Sequence, residues 1–192
     1  MKRALLCCLT IVVYLGFLQA AAPEAGSSKP QYTGDHHLLR PENYRQWIYL
    51  SSGLGMNYSP LSSGHVMFTN VFVPQWAYAE FLNSGRWPDH TTFVVEERDS
   101  ETKGSIVKDG HFQGDIMGIG VEVKDASFPD KWAYFNFDAD SKSAQANPKS
   151  ACWQCHEDHA AVEHSFVQFY PTLKPVAKKF GTYKQAAENP TN

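Results

Sequence analysis

Cysteine is scarce and unevenly placed: of four in 192 residues, Cys7 and Cys8 lie near the N-terminus, and Cys152 and Cys155 lie near the other end. So few thiols exclude a framework of several disulfides. No run of more than two basic residues occurs, and the formal net charge is −3. The chain therefore lacks the electrostatic footprint of a nucleic-acid binder, and nucleic acid is excluded as an expected partner. The longest apolar run, from residue 4 to residue 18, is short for a membrane span. No methionine follows Met117. Neither an internal repeat nor a second composition regime appears, which points to one domain.

What is present begins with compartment. A two-residue basic start, that apolar run and small residues at 20–22 have the three-part layout of a secretory signal peptide. We assign residues 1–22 to it, with cleavage between about 20 and 26, and expect a periplasmic or secreted protein. Cys7 and Cys8 would leave with the leader. About 165–170 residues then remain of the 192, enough for a single domain with a real core. Aromatic residues make up 14% of the chain, sufficient to line an apolar cofactor pocket.

Residues 23–37 are polar with Pro and Gly and read as a flexible leader, residues 38–180 as the folded domain, and residues 181–192 as a tail. Pro41 is placed to open a short helix, with Tyr44, Trp47 and Ile48 on one face and Gly53 and Gly55 ending it. Strands are expected at 66–73 and 91–100, with a helix at 75–83 between them and Gly85 as its C-cap. Two extended runs flank a turn at Asp109-Gly110, and "WAYFNF" alternates as another strand. From Cys155 to Leu173 the pattern suits a helix broken at Pro171. The fold class is α+β: an antiparallel sheet of four or five strands with flanking helices.

The sharpest motif is "CWQCH", residues 152–156. A Cys-x-x-Cys pair alone is compatible with a redox disulfide, half a zinc site or a haem anchor. A zinc site wants further thiolate or imidazole ligands at set spacing, and His159 and His164 fit no standard spacing. A redox disulfide normally follows the first strand of a βαβ unit, whereas this pair follows a polar loop near the chain end. The adjacent histidine favours haem: Cys152 and Cys155 would bond the vinyl groups and His156 would ligate the iron, giving one covalent haem c.

With no methionine beyond His156, sulfur could reach the other haem face only from Met56 or from strand-like Met67 and Met117. His159 and His164 follow the proximal ligand too closely to cross the ring. His65, His90 and His111 read as polar surface. The expectation is therefore an open sixth position, suited to ligand binding or chemistry more than to electron shuttling.

Several stretches carry a family resemblance: "PENYRQWIYL", "FTNVFVPQWAYAEFLNSGRWPD", "TTFVVEERDSETKGS", "GHFQGDIMGIGVEVKD", "WAYFNF" and "CWQCHEDHAAVEHSFVQFYPTL". Together they resemble, in order, the cytochrome P-460 family, which includes the cytochromes c′-beta. The resemblance implies a large antiparallel sheet, a homodimer and one c-type haem near the C-terminus. It also implies that the enzymatic branch uses a porphyrin-bonded lysine, a distal carboxylate and an arginine to oxidise hydroxylamine. Aligned here, those positions fall on Val95, Gly120 and Thr69, so all three charged groups are absent. Phe93 would lean over the distal site, whose wall is expected to be apolar. A small diatomic ligand such as nitric oxide is the expected partner, alongside an unidentified redox partner. Oxidoreductase action on hydroxylamine or nitric oxide, and electron transfer, stand as alternatives. Glu96 and Glu97 with Arg98 read as a solvated strand end.

Overall fold

A computed structural model describes residues 28–56, 65–138, 140–149 and 152–188. The expected signal peptide and its cleavage site lie outside the described residues. In chain order the elements are β1 (Leu38–Leu39), a 3₁₀ turn (Tyr44–Gln46), β2 (Ile48–Leu54), β3 (Met67–Val73), α1 (Gln75–Ser84), β4 (Thr92–Glu101) and β5 (Phe112–Lys124). They continue with β6 (Trp132–Phe137), β7 (Ser143–Ala144), α2 (Trp153–His159), a 3₁₀ turn (Val167–Phe169), α3 (Lys174–Lys179) and a last 3₁₀ turn (Gln185–Glu188). Five strands form one antiparallel sheet in the order β2-β3-β4-β5-β6, so neighbours in sequence are neighbours in space. The architecture is α+β.

Alternation, interrupted by register shifts between Tyr49 and Ser51 and beyond Glu97, sorts the strand residues onto two faces. One face packs Val73, Phe93, Trp132 and Tyr134 against α1, α3 and the segment around Ala161, Val162 and Val167. The other packs Val94, Val121, Val123 and Phe135 against Leu38 and Tyr44. Each face thus has its own core, and each buried aliphatic or aromatic side chain contributes on the order of 1.5–3 kcal/mol. The helix over 75–84 ends as expected: Gly85 takes φ +67° and its N–H donates to the Phe81 carbonyl at 2.7 Å. A Cβ there would also meet Phe180 Cβ at 2.7 Å, so glycine serves both the turn and the close approach of the C-terminal segment.

Four local expectations are corrected. The helix expected from Pro41 is only one 3₁₀ turn, and Ile48 already belongs to β2. Residues 103–108 form no strand, since the chain there turns with Ile106 at φ +65°. The expected helix from Cys155 to Leu173 is two pieces, α2 to His159 and a 3₁₀ turn at Val167–Phe169, because the chain turns extended at Ala160 and buries Ala160, Ala161 and Val162 completely. Parts of the expected leader and tail are held: the Tyr32 hydroxyl donates to Asp125 at 3.0 Å, and the Lys184 N–H donates to the Ala161 carbonyl at 2.7 Å.

Candidate functional site

A cavity of about 250 Å³ lies between the sheet and the C-terminal segment. The C-terminal wall consists of Cys152, Cys155 and His156 at the start of α2, with Phe166, Phe169 and Tyr170 beyond it. The sheet wall brings Ser51, Gly53 and Met56 from the β2 end, Thr69 and Val71 from β3, Val95 and Glu97 from β4, and Glu122 from β5. Strand parity explains the selection, since Thr69 and Val71, Val95 and Glu97, and Glu122 all fall on one face.

His156 is held for a defined task. Its Nδ1–H donates to the His164 carbonyl at 2.7 Å, which fixes the tautomer and leaves Nε2 as the basic nitrogen. Its ring lies 4.5 Å from Tyr134 and 4.5 Å from Phe166, centroid to centroid. Nε2 faces the sheet side, 3.6 Å from Glu122 Oε1. Cys152 and Cys155 are free thiols one helical turn apart; burial pushes the Cys155 thiol up, with Asp158 adding to the effect. Two unpaired thiols and an imidazole with its far nitrogen tied back, all on one cavity wall, are the donor set that a Cys-x-x-Cys-His haem requires. The residues present fit that group.

Of the residues singled out from the sequence, Cys152, Cys155, His156, Thr69 and Val95 come together around the cavity. Phe93 does not line it. Phe93 is fully buried in the aromatic core, edge-on to Trp87 at 4.8 Å and stacked on Trp132 at 6.4 Å. It shares a face with Val95, but packs between Trp87 and Trp132 instead of lining the cavity. Gly120 is the register partner of Val95, and it lies beneath the cavity wall without contributing to the lining. A Cβ at Gly120 would touch Val95 Cβ at 3.8 Å, an ordinary contact.

The expected apolar wall is corrected as well. Two carboxylates, Glu97 and Glu122, line the cavity, and no lysine or arginine does so among the described residues. Glu122 lies two residues beyond Gly120 on the same face, so a carboxylate reaches the site without any change of register. Burial raises the Glu122 pKa, with the neighbouring imidazole pulling the other way. Glu97 has its Oε2 over Gly118, 3.0 Å from where a Cβ would stand. Glu96, expected as solvated surface, is instead buried on the opposite face, accepting from Tyr44 and Arg98 and from Arg45 Nη2 at 2.6 Å. The hint available in the sequence was parity: on β5 every second residue from Gly118 shares one face, and Glu122 is the third in that row.

Comparison with known families gives one match. The family described as Cytochrome P460 matches residues 41–167, which includes every cavity residue except Phe169 and Tyr170. No curated protein matches the chain as a relative.

Proposed function

The chain belongs to the cytochrome P460 family, whose members use haem, and from that premise we propose that it is a periplasmic monohaem c-type protein that binds a small ligand such as nitric oxide. Cys152 and Cys155 would hold the haem covalently, and His156 would ligate its iron. The observation that carries this reading is the tied-back imidazole: His156 Nδ1 is committed to the His164 carbonyl, both thiols are unpaired, and all three residues line one cavity. Bound haem supplies an iron that takes small ligands and exchanges electrons. The protein's own contribution is to orient the imidazole, exclude bulk water with Phe166 and Tyr170, and set the polarity opposite His156 through Thr69, Glu97 and Glu122.

A second reading, oxidation of hydroxylamine or nitric oxide with a redox partner as electron acceptor, is favoured by one observation. Glu122 brings a largely shielded carboxylate to within 3.6 Å of His156 Nε2, and its raised pKa suits a group that accepts a proton from a bound N–H or O–H. Val95 carries no amine, so no bond from a lysine to the porphyrin forms at that position, and the haem spectrum should be that of an ordinary haem c. A homodimer is part of the proposal through the family.

The experiment is to express the chain with c-haem maturation and stain for haem on a denaturing gel. Wild type should retain haem, and Cys152→Ser/Cys155→Ser should lose it entirely. Haem that stays covalently bound in the double variant would overturn the assignment. Titration of the reduced protein with nitric oxide, followed by its absorption spectrum, tests the ligand, and hydroxylamine-dependent reduction of an added acceptor tests the second reading.

A further inference from the structure

We propose that Met56 is a displaceable sixth ligand, its thioether closing the haem face opposite His156 until a small ligand pushes it aside. The inference rests on the haem reading given above and goes beyond it, since that reading leaves the sixth position open. Three observations carry it. Met56 is the one methionine in the cavity lining among the described residues, and it belongs to the sheet wall, whereas His156 belongs to the C-terminal wall. Met117, by contrast, is more than half exposed.

The second observation is how the chain delivers it. β2 ends at Leu54, and Gly55 turns the backbone with φ +63°, a conformation that L side chains rarely adopt. That turn sends Met56 back over the strand it has just left, into the cavity rather than along the strand.

The third is the space kept for it. Gly53 has no side chain, and the volume that a Cβ would fill holds the methionine: an added Cβ would overlap Met56 Sδ, come within 2.8 Å of its Cγ and stand 2.9 Å from Thr69 Oγ1. A strand glycine weakens the sheet locally, and one whose missing side chain makes room for a thioether at a metal site has a purpose. Thioether sulfur is a soft ligand that binds haem iron well and is readily exchanged. Glu97 and Glu122 remain beside it to hydrogen-bond whatever replaces it.

The test compares wild type, Met56→Leu and Gly53→Ala as haem-loaded proteins. The ferric wild type should be low-spin, with the red charge-transfer band of sulfur-ligated haem, and Met56→Leu should be high-spin without that band. Gly53→Ala, which crowds the sulfur and leaves it in the sequence, should lose the band in part. Carbon monoxide affinity of the reduced protein should rise about tenfold or more in Met56→Leu, by the inverse of the fraction of molecules whose sulfur is already displaced. A high-spin wild type with spectra and carbon monoxide affinity unchanged in Met56→Leu would overturn the proposal and leave the haem reading intact. A preparation that shows no haem c in its reduced pyridine spectrum would overturn the haem reading instead.

Discussion

Glu96 and Glu97 are adjacent on β4, yet their carboxylates meet opposite conditions because a strand alternates its faces. Glu96 points to the face that carries Leu38 and Tyr44, where Tyr44, Arg45 and Arg98 all donate to it. Glu97 points to the cavity, and so does Glu122 across the β4–β5 ladder. Burial opposes ionisation of Glu96, but the donors from Arg98, Tyr44 and Arg45 outweigh it and hold the carboxyl near about 2. Among the described residues Glu122 faces an imidazole and no arginine or lysine, and burial raises its pKa. One sheet therefore carries two kinds of acid: one buried and satisfied, fixing the fold, and one only partly exposed and left available, facing the site.

The largest expected effect breaks the same contrast among apolar residues. Phe93 and Val95 share a face, but Phe93 is core and Val95 is cavity wall. Phe93→Ala should cost about 3–5 kcal/mol in urea unfolding, because the Trp87–Phe93–Trp132 packing collapses only partly into the gap. Ligand affinity in the surviving folded protein should stay close to wild type. A Phe93→Ala protein of unchanged stability and altered ligand binding would place the ring at the site after all.

How much of this was legible depended on parity and on distance along the chain. The alternation of "FTNVFV" and "TTFVVEE" suffices to sort residues onto faces, and Thr69 and Val95 both line the cavity. Glu122 is not legible at the position aligned with Gly120, but it is the next residue of the same face and reaches the cavity with the register unchanged. The burial of Glu96 was not legible locally: its partners Tyr44 and Arg45 come from the turn before β2, brought there by the β2-β3-β4 order. The i, i+3, i+4 spacing of Tyr44, Trp47 and Ile48 mimics a helix, but the glycines downstream and the pairing of Ile48 with Val73 give the segment to the sheet. In the C-terminal segment, "AAV" at 160–162 is apolar on every side, and only tertiary burial tells an extended stretch from a buried helix.

Next in size, Glu96→Gln should destabilise by about 1.5–3 kcal/mol, the range for hydrogen bonds to a charged group. The pH dependence follows from the sign of the shift. The folded carboxyl is lowered from 4.5 to about 2, so its contribution is fully present above pH 4.5 and is lost as the pH falls toward 2. Wild type should lose stability steeply across that window, and Glu96→Gln should lose less. Identical acid-unfolding curves would mean that Tyr44, Arg45 and Arg98 do not hold Glu96 in solution.

The smallest stability effect belongs to the same substitution on the other face. Glu122→Gln removes a largely shielded carboxylate that no arginine or lysine among the described residues compensates, so the desolvation penalty goes with it and neutral-pH stability should change by no more than about 0.5 kcal/mol. Its consequence lies in the site. If Glu122 accepts a proton from a bound ligand, hydroxylamine-dependent turnover should fall by about 10²-fold or more, the usual contribution of a positioned base. Nitric oxide affinity, which needs no proton acceptor, should stay within about threefold, since only one polar neighbour of the ligand is altered. A protein that binds nitric oxide and shows no hydroxylamine activity even with Glu122 in place would confine that carboxylate to tuning the ligand. Loss of stability comparable to that of Glu96→Gln would erase the distinction between the two faces, because it would show Glu122 to be as fully paired as Glu96.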